Sequence, residues 1–199
     1  MGKLFALIAA LALMGCAGES VDEIVSYTPE HFRDTAKITD DQLETTAIIT
    51  TEDGRHQVVN YDVDGWACKS YLRAFIDKRS GATSYQLYAD ITYYDDRRIY
   101  STINYFSLKG VQSAPLIRIA HNTDPCHKAD CLHTEDVGFN MPDSMVREIA
   151  ATYAPHAKNG WLFKLKGKVI GTDIEGVVMP SEAAGLLMAV QAYKASLHR

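Results

Sequence analysis

The chain has 199 residues, 20 basic and 25 acidic side chains, and a formal net charge of −5. That length suits one domain with a real core, and a mildly acidic chain without a basic run argues against a nucleic-acid partner. No apolar stretch reaches the roughly 20 residues that a membrane-spanning helix needs.

The first residues read MGKLFALIAALALMGC. Lys3 gives a positive start, Leu4 to Leu13 form an apolar run too short to span a bilayer, and small residues follow, which together mark an export signal over residues 1–15. Its end, Leu13-Met14-Gly15-Cys16, resembles the lipobox of bacterial lipoproteins. Leu13 supplies the branched apolar position, Gly15 the small one, and Met14 is an ordinary variation. The resemblance covers residues 1–16. It implies cleavage before Cys16, a diacylglycerol on the Cys16 sulfur and a further acyl chain, such as palmitate, on its amino group. Each buried methylene contributes ~0.8 kcal/mol, so two or three chains give a lasting membrane anchor. Ala17 follows, where an aspartate would imply retention in the inner membrane; the expected location is the outer membrane, facing the periplasm. Cleavage removes Lys3 and takes the charge to −6.

Residues 16–43 are polar (AGES, TPEH, TDDQ) and read as an acylated cysteine followed by a tether, with a short helix starting at Thr28-Pro29. The globular domain is expected over 44–199. Its first half has an apolar period of two. Strands are predicted at 45–51 and 56–63 around an Asp-Gly turn, then at 67–76, 83–94, 98–108 and 114–121. In the third of these, Cys68, Leu72 and Ile76 share one face and Lys69 and Arg73 the other. A three-residue loop at 95–97 would pair 83–94 with 98–108 as a hairpin. Leu87, Ala89, Ile91 and Tyr93 then share a face with Ile99, Ile103 and Tyr105.

The second half changes to strand–helix units. TEDVGFNMPDSMVREIAATYA (134–154) and TDIEGVVMPSEAAGLLMAVQAY (172–193) both leave a strand through Met-Pro, at a spacing of 38 residues. Asp143 or Ser181 is expected to cap the helix that follows. Ala183, Leu186, Leu187, Val190 and Leu197 line one side of the last helix. Between the units, WLFKLKGK (161–168) reads as a strand with Trp161, Phe163 and Leu165 on one face. The fold class is α+β: a strand-rich antiparallel sheet with two C-terminal amphipathic helices packed on one side.

DPCHKADCLH (124–133) joins two predicted strands. An exported protein works where disulfides form, and Cys126 and Cys131 would face each other at the neck of the connecting loop. A bridge over so short a loop contributes about 2 kcal/mol. The alternative is a zinc or copper site using Cys126, His127, Cys131 and His133, with His121. Cys131 and His133 point the same way in extended chain, whereas adjacent Cys126 and His127 point apart. Cys68, on the Leu72 face, reads as a buried thiol.

NYDVDGWACKSY (60–71) places Asn60, Asp62, Asp64 and Gly65 like a calcium loop, but the twelfth position is Tyr71 rather than a bidentate glutamate. No nucleophile elbow, zinc-protease histidine pair, phosphate loop or dinucleotide fingerprint occurs, and no cofactor is expected. The polar face of the predicted hairpin carries Tyr88, Tyr94, Arg98, Tyr100 and Phe106, a mixed surface of the kind that binds envelope proteins or glycans. The body is similar in layout to secreted proteobacterial proteins without an assigned activity, a resemblance that implies a location and transfers no catalytic residue. The expected function is a non-enzymatic binding or envelope-interaction module. The alternatives are a periplasmic metal-binding protein and a hydrolase of envelope polymers.

Overall fold

The computed structural model describes residues 26–54, 66–94, 97–126, 131–169 and 171–197. In chain order these form α1 (Pro29–Asp34), β1 (Lys37–Thr39), β2 (Thr46–Thr50), β3 (Trp66–Asp77), β4 (Thr83–Tyr93), β5 (Tyr100–Ser107), β6 (Gly110–Pro115) and β7 (Ile117–Thr123). Then come β8 (His133–Met141), α2 (Asp143–Ala151), β9 (Trp161–Gly167), β10 (Ile174–Val178) and α3 (Pro180–Leu197). The class is α+β as expected, but the strands build two antiparallel sheets instead of one. The six-stranded sheet has the order β1-β2-β3-β4-β8-β7 and the four-stranded sheet the order β10-β9-β5-β6.

One apolar core joins these layers. Leu72, Ile76, Leu87 and Ile91 enter it from the six-stranded sheet, and Ile103, Phe163, Leu165 and Ile174 from the four-stranded one. The helices add Val146, Ile149, Ala183, Leu186 and Val190. Alternation along β3 and β4 fixes the register: Leu72 faces Leu87 and Cys68 faces Ile91, while β8 sets Phe139 beside Leu87 and Val137 beside Ala89. A slip of one residue would turn every one of these side chains to the opposite face.

The predicted hairpin of 83–94 with 98–108 does not form. β4 lies between β3 and β8, and β5 pairs with β6 and β9 in the other sheet. The reason is long-range. Glu135 on β8 accepts hydrogen bonds from the backbone N–H groups of Ile99 at 2.9 Å and Tyr100 at 3.2 Å, which turns the chain out of the first sheet. Ile99 sits at φ 53°, a left-handed conformation that costs a branched residue roughly 1–2 kcal/mol. The stretch 114–121 also divides. It breaks at Pro115-Leu116, with β6 on one sheet and β7 on the other.

The expected capping residues are corrected too. Pro142 occupies the N-cap of α2 without a side-chain cap, and Asp143 lies inside the helix, paired with Arg147 at 2.7 Å. α3 begins at Pro180, which leaves Ser181 buried within its first turn.

The tether reading fails for the residues described. Thr28 accepts a hydrogen bond from the His31 N–H and caps α1, and Phe32 on α1 is 0% exposed. A Cβ built on Gly185 of α3 would lie 2.5 Å from the Phe32 Cβ, so the missing side chain is what lets α1 close on α3. β1 extends the six-stranded sheet, with Ile38 facing Ile49. The globular unit therefore begins by Pro29, not near Glu44. Residues 16–25, the predicted strand 56–63 and the calcium-like positions Asn60 to Gly65 lie outside the described residues.

Candidate functional site

The four-stranded sheet buries one face in the core and turns the other outward. Its outward face carries two cross-strand rows. The polar row sets Glu175 against Lys164, Lys164 against Asn104, and Asn104 against Ser113, with a 2.7 Å ion pair between Lys164 and Glu175. The apolar row sets Val177 against Leu162 and Phe106 against Val111. Phe106 is 57% exposed, Val111 62%, and Leu108 in the β5–β6 turn 93%.

Two grooves meet at this row. One of about 330 Å³ runs between the β5–β6 turn, α2 and the start of β9, lined by Phe106, Leu108, Met145, Ile149, Trp161 and Leu162. The other, of about 360 Å³, crosses the sheet past Val111, Lys164 and Glu175. Trp161 is held in place because its indole N–H donates to the Phe106 carbonyl at 2.9 Å. Its ring packs on Tyr105 and Phe163, at centroid distances of 5.6 and 5.9 Å. The arrangement has apolar walls, a fixed aromatic and a few polar groups at the rim, the usual composition of a binding cleft.

The structure disperses the predicted binding face. Tyr88 does lie opposite Leu87 and Ile91, as the period of two requires, but on the outer face of the six-stranded sheet. There it packs on Tyr71 at 4.9 Å and under the Arg73 guanidinium at 4.4 Å. Tyr94 is exposed at the end of β4, and Arg98 stacks over Tyr93 at 4.8 Å. Tyr100 is 3% exposed and donates its hydroxyl to the Thr172 carbonyl, so it belongs to the core. A register shift between Tyr100 and Thr102 breaks the alternation that had put Tyr100 outside. Only Phe106 reaches the grooves. Trp161, Leu108 and Met145 were not anticipated there, because they arrive from a turn, from α2 and from β9.

On the outer face of the six-stranded sheet, Arg73 donates twice to the Gln86 Oε1, at 2.8 and 2.5 Å, and Gln86 passes a bond to Asn140. Asp90 and Asp136 are direct cross-strand partners. Burial, and after it the Asp136 charge, pushes the Asp90 carboxyl above its ordinary value of 3.8. Burial likewise pushes the Tyr71 phenol up to about 12. Folding thus favours protonated Asp90. That contribution is present below the unfolded value and is lost as pH rises through the folded one, so ionised Asp90 is a cost at neutral pH. Asp90→Asn should raise the urea midpoint at neutral pH, with the gain vanishing below about pH 4. A gain that does not change with pH would point away from charge.

Cys126 and Cys131 form the expected disulfide, with Cα atoms 4.2 Å apart. It closes the β7–β8 connection just beyond the Asp124 N–H to Leu132 carbonyl bond and the Thr123–His133 pair. Both sulfurs are therefore unavailable as metal ligands. His121 and His133 stack at 5.7 Å, and His133 stacks on Tyr93 at 5.4 Å. Burial, then Arg97, pushes the His121 pKa down. His127 lies outside the described residues, among which no group of three or more metal-ligating side chains converges. Cys68 is half-buried beside Ile91 and is not a free thiol. The expectation of a reduced thiol there is corrected.

No family model, curated protein or solved structure matches this chain.

Proposed function

We propose that the protein is a lipid-anchored envelope component, acylated at Cys16, held at the bacterial outer membrane facing the periplasm, and acting as a non-enzymatic binding module through the grooves at Phe106 and Trp161. The observation that carries the binding half is the exposed apolar row beside two clefts of several hundred Å³, since a contiguous exposed patch of this kind rarely lacks a partner. The anchoring half rests on Lys3, the Leu4–Leu13 run and the Leu13-Met14-Gly15-Cys16 sequence.

Cys16→Ser should move the protein from the membrane fraction to the soluble periplasmic fraction, while the parent stays with membranes through a high-salt wash. A serine variant that pellets as firmly as the parent would sink the anchor. One sulfur cannot carry both a diacylglycerol and a disulfide. The intact mass of the extracted protein therefore decides whether Cys16 is acylated or is a disulfide partner, and a thiol count gives the state of Cys68 alongside it.

A further inference from the structure

The β5–β6 turn ends in Ser107-Leu108-Lys109-Gly110, with Gly110 at φ 88°, a conformation that suits glycine. Leu108 is almost wholly exposed at the tip. Phe106 and Val111 flank it as a cross-strand pair, and Lys109 stands beside it. Three apolar side chains gathered at one hairpin end with a lysine among them have the composition of an interfacial membrane contact, in which the apolar groups enter the acyl boundary and the ammonium stays at headgroup level.

The position of this tip relative to the start of the described chain points the same way. Tyr27 lines a small crevice with Tyr153, Ala157, Met179 and Ser181. A Cβ on Gly160 would lie 3.2 Å from the Met179 Sδ. The next residue, Trp161, is hydrogen-bonded to Phe106, two positions from Leu108. Val178 pairs with Trp161 and Tyr105 with Phe163, so Met179, beside Tyr27, and the apolar tip both stand at the end of the four-stranded sheet where β9 begins. Ten positions separate Cys16 from Ser26, a stretch that reaches at most about 36 Å.

We propose that the β5–β6 tip is a second membrane contact: Leu108, Phe106 and Val111 seat in the surface of the bilayer that carries the Cys16 anchor. This rests on the anchoring proposed above and names lipid as the occupant of the apolar row. A formal charge of −6 after cleavage gives no general attraction to anionic lipid, so the contact is local and apolar. Two contacts fix how the domain stands on the membrane, which a single flexible anchor does not.

The test uses the acylated full chain in vesicles of phosphatidylethanolamine and phosphatidylglycerol with bromine-substituted acyl chains. Leu108→Trp is expected to show fluorescence quenching beyond that of the parent, which has Trp66 and Trp161. Leu43→Trp, at an equally exposed site, is the control. Leu43 lies near Asp40, which binds Tyr193 near the end of α3, whereas Tyr27 neighbours Ser181 at its start; an 18-residue helix spans about 27 Å. Leu43→Trp should show no added quenching. In a second arm, unacylated Cys16→Ser protein is titrated with the same vesicles, and Leu108→Asp should weaken its partition at least about tenfold, the factor expected for exposing one leucine. Vesicle-bound protein without added quenching at Leu108, or equal partition of the two serine-background proteins, overturns the tip contact and leaves the row to a protein partner. Failure of the acylated chain to float with vesicles overturns the anchor alone, because the second arm still reads the tip.

Discussion

Glu135→Ala is expected to destabilise the protein by about 4 kcal/mol, through loss of an acceptor for two buried donors and one part-buried donor. Glu135 is 2% exposed. It accepts hydrogen bonds from the Tyr93 hydroxyl, the Ile99 N–H and the Tyr100 N–H. Tyr93, itself 0% exposed, accepts in turn from the Arg98 N–H at 2.9 Å. The carboxylate is thus the point where β8, the end of β4 and the start of β5 are joined, and it offsets the left-handed backbone at Ile99. Alanine leaves those donors in a low-dielectric site with no acceptor, at roughly 1–3 kcal/mol each before water and local relaxation recover part. For a domain of this size the melting temperature should fall by about 10 °C or more. Glu135→Gln keeps one carbonyl acceptor and should lose about half as much. Urea denaturation followed by far-UV circular dichroism measures both. A loss under about 1 kcal/mol for alanine would mean that the crossover is held by packing alone.

The second large effect is expected at Glu182. This residue is 0% exposed in the first turn of α3 and accepts from the Thr51 hydroxyl at 2.7 Å and the Leu72 N–H at 3.1 Å. A carboxylate in that turn is also favoured by the helix dipole. It fastens the helix start to β3 and to the chain leaving β2. Glu182→Ala should cost about 3 kcal/mol, somewhat less than at Glu135, because the Thr51 hydroxyl also accepts from the Leu72 N–H at 3.0 Å and keeps that donor satisfied. Hydrogen exchange locates the effect: the amides of the first turn of α3 should lose protection before those at the centre of β4. Uniform loss across the domain would show that Glu182 is not a local fastening.

The elements were legible where burial follows local period. β3, β4, β8 and β9 alternate because one face of each is in the core, and Ala183, Leu186 and Val190 repeat on α3 for the same reason. What local pattern could not carry was the assignment of strands to sheets. β4 and β5 look like a hairpin in isolation, and only a carboxylate 35 to 36 residues further along separates them. The short helix at Thr28-Pro29 was legible, but its docking was not, because a single buried residue, Phe32, joins it to the domain from a polar stretch; the matching signal was the absence of a side chain at Gly185. The disulfide was legible from its place between strands. The groove was not, apart from Phe106, because Trp161 meets Phe106 across 55 residues of chain.

The route of the chain between the two sheets has a consequence for the order of assembly. β5 and β6 are a two-stranded excursion inserted between β4 and β7, and the six-stranded sheet is complete once β8 ends at Met141. The excursion gains its remaining neighbours only from β9 and β10, through pairings such as Ile103 with Leu165 that lie 62 positions apart. Such distant closures are entropically costly and slow. In a chain delivered from its N-terminus, the first sheet can form while β5 still has an open edge and Ile103 has no cover. That interval, ended by arrival of the strand that begins at Trp161, is when the protein is most exposed to mispairing with a second copy of itself.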